Sequence, residues 1–173
     1  MMRTSRSRRL ARRRVRTVAC FLNLPRTSDL RTLTSWYDAV NGHLDMGWTP
    51  EAIIENIGGF HAQVLVTEVI GDGHDYRNVM VGAHWRSMHC GDVTGTLLSQ
   101  YPNFEVRQKT RILFNQIINT RRALFIDTPP IAARRVHRSQ GLEMAFMPLR
   151  GRDGKVTHLI TAVPHHQLVL GTR

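Results

Sequence analysis

The sequence is poor in cysteine and lacks long apolar runs, and each shortage excludes a class of protein. Two cysteines, Cys20 and Cys90, are too few for a disulfide scaffold or for a zinc site built from four thiolates. No run reaches the roughly 18 consecutive apolar residues that a membrane-spanning helix needs. With 173 residues, of which 42% are hydrophobic and 21% charged, we expect one globular, cytoplasmic domain with a tail.

Acidic residues are absent from the first 28 positions, which hold nine arginines between Arg3 and Arg26. The other positions carry 15 basic and 13 acidic residues, so most of the net charge of +11 belongs to this segment. It has four open interpretations: a basic arm that binds nucleic-acid phosphate, an organellar transit peptide, an export signal, or an inert tail translated from GC-rich DNA. Under all four, we expect residues 1–28 to be a disordered tail.

The remaining chain begins with helix signals. Apolar residues at helical spacing predict an amphipathic helix from Ser28 to about residue 40, and Thr49-Pro50-Glu51 predicts the start of a short second helix. Two later stretches, 94–100 and 104–120, predict a short and a long helix.

Strand signals lie between and after these helices. Runs rich in β-branched residues predict strands over 59–70, 76–85, 122–131, 137–149 and 155–163, and Asp153-Gly154 predicts a hairpin between the last two. The order predicts an α+β domain over 29–163, in which a five-stranded, mostly antiparallel sheet has its helices packed on one face. Residues 164–173 are then a C-terminal tail.

Four features of the sequence together resemble the compact, stand-alone bacterial PAS family, type 5. Trp36-Tyr37 lie in the first helix, and the second strand runs from Tyr76-Arg77 to Gly82. The turn Gly91-Asp92-Val93-Thr94-Gly95 follows, and Met147-Pro148-Leu149 precedes the last hairpin. The resemblance covers about residues 29–163. The chain departs from the family at His84 and Trp85, where smaller or aliphatic residues are expected.

The resemblance implies a single-domain sensory or regulatory module in signal transduction, without catalytic activity of its own. Such a module binds a small ligand or a signalling protein, or forms a homodimer. The alternative is a nucleic-acid-associated protein that binds through its Arg-rich N-terminal arm. A third hypothesis, a small enzyme that uses Cys90 or its neighbouring histidines, lacks a group to orient the base.

The cofactor of such a module stays unknown, because two signatures are missing. Flavin photosensors carry a reactive cysteine within a glycine–x–asparagine–cysteine run, and the sequence around Cys90 lacks that run. Haem sensors commonly take a histidine from the long helix, and residues 104–120 contain none. Flavin and haem are therefore disfavoured. No metal site is predicted, because His84, His89 and Cys90 match no common ligand spacing.

Alternation along the strands indicates which side chains share a face. From it we predict that a ligand pocket, or simply a packed core, is lined by Val64, Val66, Arg77, Val81, His84, Trp85, Met144, Phe146 and Ile160. Arg77 has a second interpretation, as a surface ion pair with Asp75 or Glu68. The first helix predicts a partner or dimer face formed by Leu33, Trp36, Tyr37 and Val40. We also expect a close backbone approach at Gly82 and a positive φ at Gly154.

Overall fold

The structure is a computed structural model that describes residues 20–22, 24–41, 48–88, 91–128 and 142–164. Four α-helices lie in these ranges: α1 Ser28–Asn41, α2 Pro50–Asn56, α3 Ala83–Met88 and α4 Phe104–Thr120. Single 3₁₀ turns occur at Gly58–Phe60, Gly71–Gly73 and Leu98–Gln100. Among the described residues, no helix is long and apolar enough to cross a lipid bilayer.

Side-chain caps explain where α2 and α4 begin. The Thr49 hydroxyl accepts a hydrogen bond from the Ala52 N–H at the start of α2, and the Asn103 side chain accepts one from the Val106 N–H at the start of α4. The predictions of α1, α2 and α4 are confirmed. The predicted helix at 94–100 is wrong in extent, because only Leu98–Gln100 forms a turn.

In the part of the chain that the structure describes, six strands form one sheet: β1 Cys20–Leu22, β2 Val64–Ile70, β3 Asp75–Val81, β4 Leu124–Thr128, β5 Leu142–Arg150 and β6 Val156–Ala162. Their order across the sheet is β1-β4-β5-β6-β2-β3, and every neighbouring pair is antiparallel. A strand occurs within each of the five predicted ranges, and β1 is an unpredicted sixth. Residues 129–131 and 137–141 of the predicted ranges lie outside the described residues. This arrangement of helices and strands is an α+β fold, as predicted.

The pairing register divides the side chains of the sheet between two faces. Val66, Ile160 and Met147 lie opposite one another on one face, and Leu65, Thr161 and Phe146 do so on the other. The first face packs against α1 and α2 through Leu30, Leu33, Tyr37, Ile53 and Ile57, and we call it the α1 face. The second packs against α3 and α4 through Trp85, Phe114 and Ile117, and we call it the α4 face.

The prediction that the helices pack on one face of the sheet is therefore wrong. Residues 64–67 of β2 are buried without interruption, as are residues 158–162 of β6. Because these central strands are apolar on both sides, both faces of the sheet must be covered.

The second strand was predicted over 76–85, which is too long, because β3 ends at Val81. Gly82 donates a backbone hydrogen bond to the Val64 carbonyl over 2.8 Å, and His84 donates one to the Ala62 carbonyl over 2.9 Å. Residues 58–63 form a 3₁₀ helix and a turn rather than the start of β2, so residues 83–85 have no strand to pair with. The chain instead turns into α3, which carries both His84 and Trp85.

The last part of the segment 1–28 is not a tail, contrary to the prediction. Cys20–Leu22 pairs with β4, and the backbone N–H groups of Arg26 and Thr27 donate to the carboxylate of the buried Glu143. The Arg26 guanidinium also contacts Asp127 at 3.1 Å. This segment is therefore held by the fold before α1 begins. Residues 1–19 and 165–173, on which the rest of both tail predictions falls, lie outside the described residues.

Acid is expected to destabilise the protein through His158, a buried residue of β6 on the α1 face. Burial lowers the pKa of this imidazole below its ordinary 6.5, although the charges of Glu68 and Glu51 oppose the change. The unfolded chain then binds a proton more readily than the folded one, so the free energy of unfolding falls as the pH drops below about 6.5. The expected slope is at most about 1.4 kcal/mol per pH unit.

Urea denaturation between pH 7 and pH 5 measures this effect. The loss on acidification should be smaller in His158→Gln than in the wild type, while the exposed His74→Gln should retain it. Equal pH dependence in wild type and His158→Gln would show that another group is responsible.

Candidate functional site

A polar patch interrupts the otherwise apolar α4 face at its centre. Thr67 of β2, Asn78 of β3 and Thr161 of β6 lie on three adjacent strands, and all three are at most 5% exposed. Their apolar neighbours on the same face include Leu65, Val81, Leu159 and Phe146. Buried polar side chains in an apolar surface need partners, so this patch is where the α4 face can recognise a polar group.

Asn78 is the centre of this patch. Its Nδ2 donates to the Tyr101 hydroxyl over 2.7 Å and to the Val93 carbonyl over 3.3 Å. Its Oδ1 accepts only a long bond, 3.5 Å, from the Thr67 hydroxyl. The amide therefore joins the sheet to the segment that precedes α4, while its oxygen keeps capacity for a further donor.

Thr161 presents a hydroxyl that has no hydrogen-bond partner among the described residues. Its Oγ1 is fully buried, as is the Oε1 of Gln63, which also lacks a partner there. A buried polar atom without a partner costs about 1–3 kcal/mol, so such atoms usually meet a water or a ligand. The patch thus has hydrogen-bonding capacity that the described part of the protein leaves unused.

The segment between α3 and α4 closes over the edge of β3. Asn78 donates its backbone N–H to the Thr96 carbonyl, and its own carbonyl accepts from the Gly95 N–H at 2.7 Å. The Asp92 carboxylate accepts from the N–H and the hydroxyl of Thr94, and these bonds lower the pKa of Asp92. Gly95 adopts a φ of +80°, which glycine reaches without strain.

Aromatic side chains attach α4 to the sheet beside this patch. The Tyr76 hydroxyl donates to the Asn115 side chain, and its ring meets Phe114 edge-on at a centroid distance of 4.9 Å. Burial raises the pKa of Tyr76 to about 12, so the phenol stays protonated and keeps donating. Phe114 in turn contacts Phe146 of β5. These contacts fix the height of α4 above the sheet.

The structure separates the predicted pocket residues into three groups. Val81, Trp85, Met144 and Phe146 do line the α4 face. Val64, Val66 and Ile160 line the α1 face, so their prediction as part of the same wall is wrong. Arg77 is an exposed surface residue 3.7 Å from Glu68, as its second interpretation held, and His84 is half-buried on α3.

The residues that sequence reasoning missed are Thr67, Asn78, Thr161 and Tyr101. A signal for Thr67, Asn78 and Thr161 was present, because each is an uncharged polar residue with an apolar residue two positions before it and another two positions after it. Such a residue is more informative than its apolar neighbours, since a buried polar group must be satisfied.

The predicted partner face on α1 is used inside the protein. Leu33 and Tyr37 are at most 3% exposed, and Trp36 and Val40 pack against the same core cluster. The Tyr37 hydroxyl donates to the Pro148 carbonyl of β5 over 2.8 Å, and burial raises the pKa of Tyr37 to about 12. The partner-face prediction is wrong, because this apolar stripe covers the α1 face of the sheet.

No group of three or more potential metal ligands occurs within the described ranges. His89 and Cys90, which the sequence analysis weighed for flavin, metal and nucleophile chemistry, lie outside the described residues. The uncharged groups of the patch suit hydrogen bonding, since the patch holds no carboxylate, imidazole or thiolate, the side chains that bind transition metals.

Removing the unpartnered hydroxyl of Thr161 is expected to leave the ligand-free protein as stable as before, or more stable by about 1 kcal/mol. Valine has the same shape and no polar atom to desolvate, so Thr161→Val fits the site. Thr67→Val is the matched comparison, because it removes a hydroxyl that does donate, to Asn78. Guanidinium denaturation of both variants checks this. A clear loss of stability in Thr161→Val would show that its hydroxyl has a strong partner.

Comparisons with known proteins do not assign the chain to a family. No family model matches the chain, and no curated protein matches it. One similar solved structure is described as that of an RNA-binding light-oxygen-voltage receptor, with 17% sequence identity and a TM-score of 0.44. The match covers 86% of this chain, and the chain spans 38% of that protein. This TM-score is too low to assign a fold, so the fold stands on the strand order and register above.

Proposed function

We propose that the chain is a PAS-type sensory or regulatory module of the stand-alone bacterial type 5 family, and that it binds a small ligand on the α4 face. One observation carries the proposal: three adjacent strands each direct a buried, uncharged polar side chain to the α4 face, with Thr67 beside Asn78 and Thr161 one row along. An apolar site with a few convergent polar groups is the usual form of a small-molecule site.

The chemistry of the patch defines the ligand class. Thr67, Asn78, Thr161 and Tyr101 are all uncharged, and a buried charge without a counter-charge would be strongly disfavoured. We therefore expect a neutral molecule with an apolar body and at least one group that can both donate and accept a hydrogen bond. Thr161 Oγ1 and Asn78 Oδ1 are the atoms with capacity to bind it.

We assign the module a regulatory role without catalytic activity of its own, with its output passing to a signalling protein. Because the apolar stripe of α1 is buried against the sheet, that stripe is not the docking surface. The proposed ligand would act by changing the packing between α4 and the sheet, the layer in which Tyr76, Phe114 and Phe146 meet.

Native mass spectrometry of protein purified from its own host tests the ligand directly. We expect a bound mass on the wild type that is reduced at least tenfold in occupancy in Thr161→Val. Thr120→Val, which alters an exposed hydroxyl in the last turn of α4, should retain it. Wild-type protein that carries no bound mass, and that no neutral compound stabilises against heat, would contradict the proposal.

A further inference from the structure

The outward side of α4 carries a stripe of uncharged side chains. Ile112 is 67% exposed and Phe104 is 63% exposed, although both are large and apolar. Gln108 lies between them, Gln116 lies one turn beyond Ile112, and both glutamines are exposed. Because side chains four positions apart are neighbours on a helix, these residues follow one another along one side of α4. We call Phe104, Gln108, Ile112 and Gln116 the α4 stripe.

The two arginines of α4 are directed toward the domain, which leaves the α4 stripe without charge. Arg107 Nη1 donates to the Tyr101 carbonyl over 2.6 Å, and Arg111 Nη1 donates to the His74 carbonyl over 2.7 Å. Both arginines are half-buried. The Arg107 guanidinium also lies 5.5 Å from the centre of the Phe104 ring, and this cation–π contact restrains the exposed ring. A partner therefore meets a preformed, uncharged surface.

The α4 stripe is symmetric about the middle of its helix. Ile112 is the central residue of α4, with eight positions between it and each end, and Gln108 and Gln116 lie four positions before and after it. Two copies packed antiparallel about a twofold axis would place Ile112 against its own counterpart and Gln108 against Gln116 of the other copy, twice. Glutamine side chains both donate and accept, so the two glutamine pairs can form hydrogen bonds.

The two ends of α4 carry charges of opposite sign. Glu105 lies in the first turn, and Arg121 and Arg122 follow the last turn. In an antiparallel pair each Glu105 would lie near these arginines of the other copy, and the two helix dipoles would be opposed. Glu105 already contacts Lys109 at 2.6 Å, but this pair is exposed and leaves room for a second cation. A parallel pair would instead bring like charges together.

We propose that the partner of the α4 stripe is a second copy of the chain, and that the two copies form an antiparallel dimer through α4. A twofold contact requires a surface that complements itself, and this one does so in its apolar centre, its flanking amides and its terminal charges. The stripe lies on the other side of α4 from Phe114 and Ile117, which pack on the sheet, so the proposal does not depend on ligand binding.

Sedimentation velocity of the full chain tests this from about 1 to about 300 µM protein, because a single helix pair buries less than the roughly 1,200 Å² of a stable complex. A salt concentration of about 150 mM limits the repulsion between chains of net charge +11, since it screens charges beyond about 8 Å. We expect the wild type to pass from monomer to dimer across this range of concentration.

Two variants locate the contact on α4. Ile112→Glu places like charges face to face at the centre and should weaken the dimer by at least about tenfold. Leu24→Glu is the matched control, because Leu24 is an aliphatic residue 72% exposed that lies outside α4, and it should dimerise as the wild type does. Circular dichroism checks that both variants are folded.

A mixture of Ile112→Glu with Ile112→Lys tests the antiparallel arrangement. Because the residue meets its own counterpart, the mixture should form the dimer that neither variant forms alone. A wild type that stays monomeric throughout would mean that the α4 stripe has a different partner. A dimer that Ile112→Glu leaves unchanged, or a mixture that stays monomeric, would mean that the copies do not meet at Ile112. Each of these three results overturns the proposal.

Discussion

Replacing Gly82 by alanine is expected to lower the free energy of unfolding by about 3 kcal/mol, the upper end of what overpacking usually costs. A Cβ atom at this position would lie 2.3 Å from the His61 carbonyl oxygen, 2.6 Å from that of Ala62 and 2.7 Å from that of Val64. All three are backbone atoms, two in the turn before β2 and one at the start of β2, so no side chain can rotate away. Guanidinium denaturation at neutral pH measures the loss.

Two other glycines make this prediction specific. Gly59→Ala should change stability little, because a Cβ there meets nothing within 4 Å and the residue has no positive φ. Gly154→Ala also meets nothing, but its φ of +75° makes an alanine strained, at a cost of about 1 kcal/mol. If Gly82→Ala were as stable as Gly59→Ala, the junction of β3 with α3 would be incorrectly described.

Asn78→Asp should lower the free energy of unfolding at pH 7 by about 3 kcal/mol, because it places a carboxylate in the buried patch without a counter-charge. The new oxygen would also face the Val93 carbonyl, which now accepts from the Asn78 amide. Burial raises the pKa of such a carboxyl above its unfolded value of about 3.9. The difference from wild type should therefore shrink as the pH falls toward 4.

The control for this charge is Asn103→Asp. Asn103 caps α4 with its side-chain oxygen, and aspartate caps helices equally well and suits the positive end of the helix dipole. We expect its stability to match or exceed that of the wild type at pH 7. An Asn78→Asp protein as stable as Asn103→Asp would mean that the patch is open to water.

Local patterns in the sequence predict the positions of most of the helices and strands. The helices that begin at Pro50 and Phe104 follow the capping residues Thr49 and Asn103, and the hairpin at Gly154 has the expected positive φ. Errors occurred where a long-range partner decides the outcome. Cys20–Leu22 becomes a strand only because the edge of β4 is available to it, and a run of three residues carries no signal of its own.

The candidate site was harder to predict. Alternation shows which side chains of one strand share a side, but it does not show which side of another strand lies on the same face of the sheet. Val66 and Phe146 each follow the expected period of two, but the register places them on opposite faces. The bulge of β3 beside Val66 and Thr67 shifts that register once more. The apolar stripe of α1 shows the same limit. Its spacing indicates that one side of the helix is buried, but only the fold shows that the sheet is what buries it.

The position of β1 also bears on how the protein resists self-association. The outer edge of β3 is covered by the bridge between Arg77 and Leu97, and within the described ranges β1 is the strand that covers the edge of β4. A chain shortened to residue 29 would uncover the row of N–H and C=O groups along β4 and would deprive Glu143 of its two backbone donors. Exposed strand edges pair with strands of other molecules. By covering the edge of β4, Cys20–Leu22 therefore reduces aggregation through that edge.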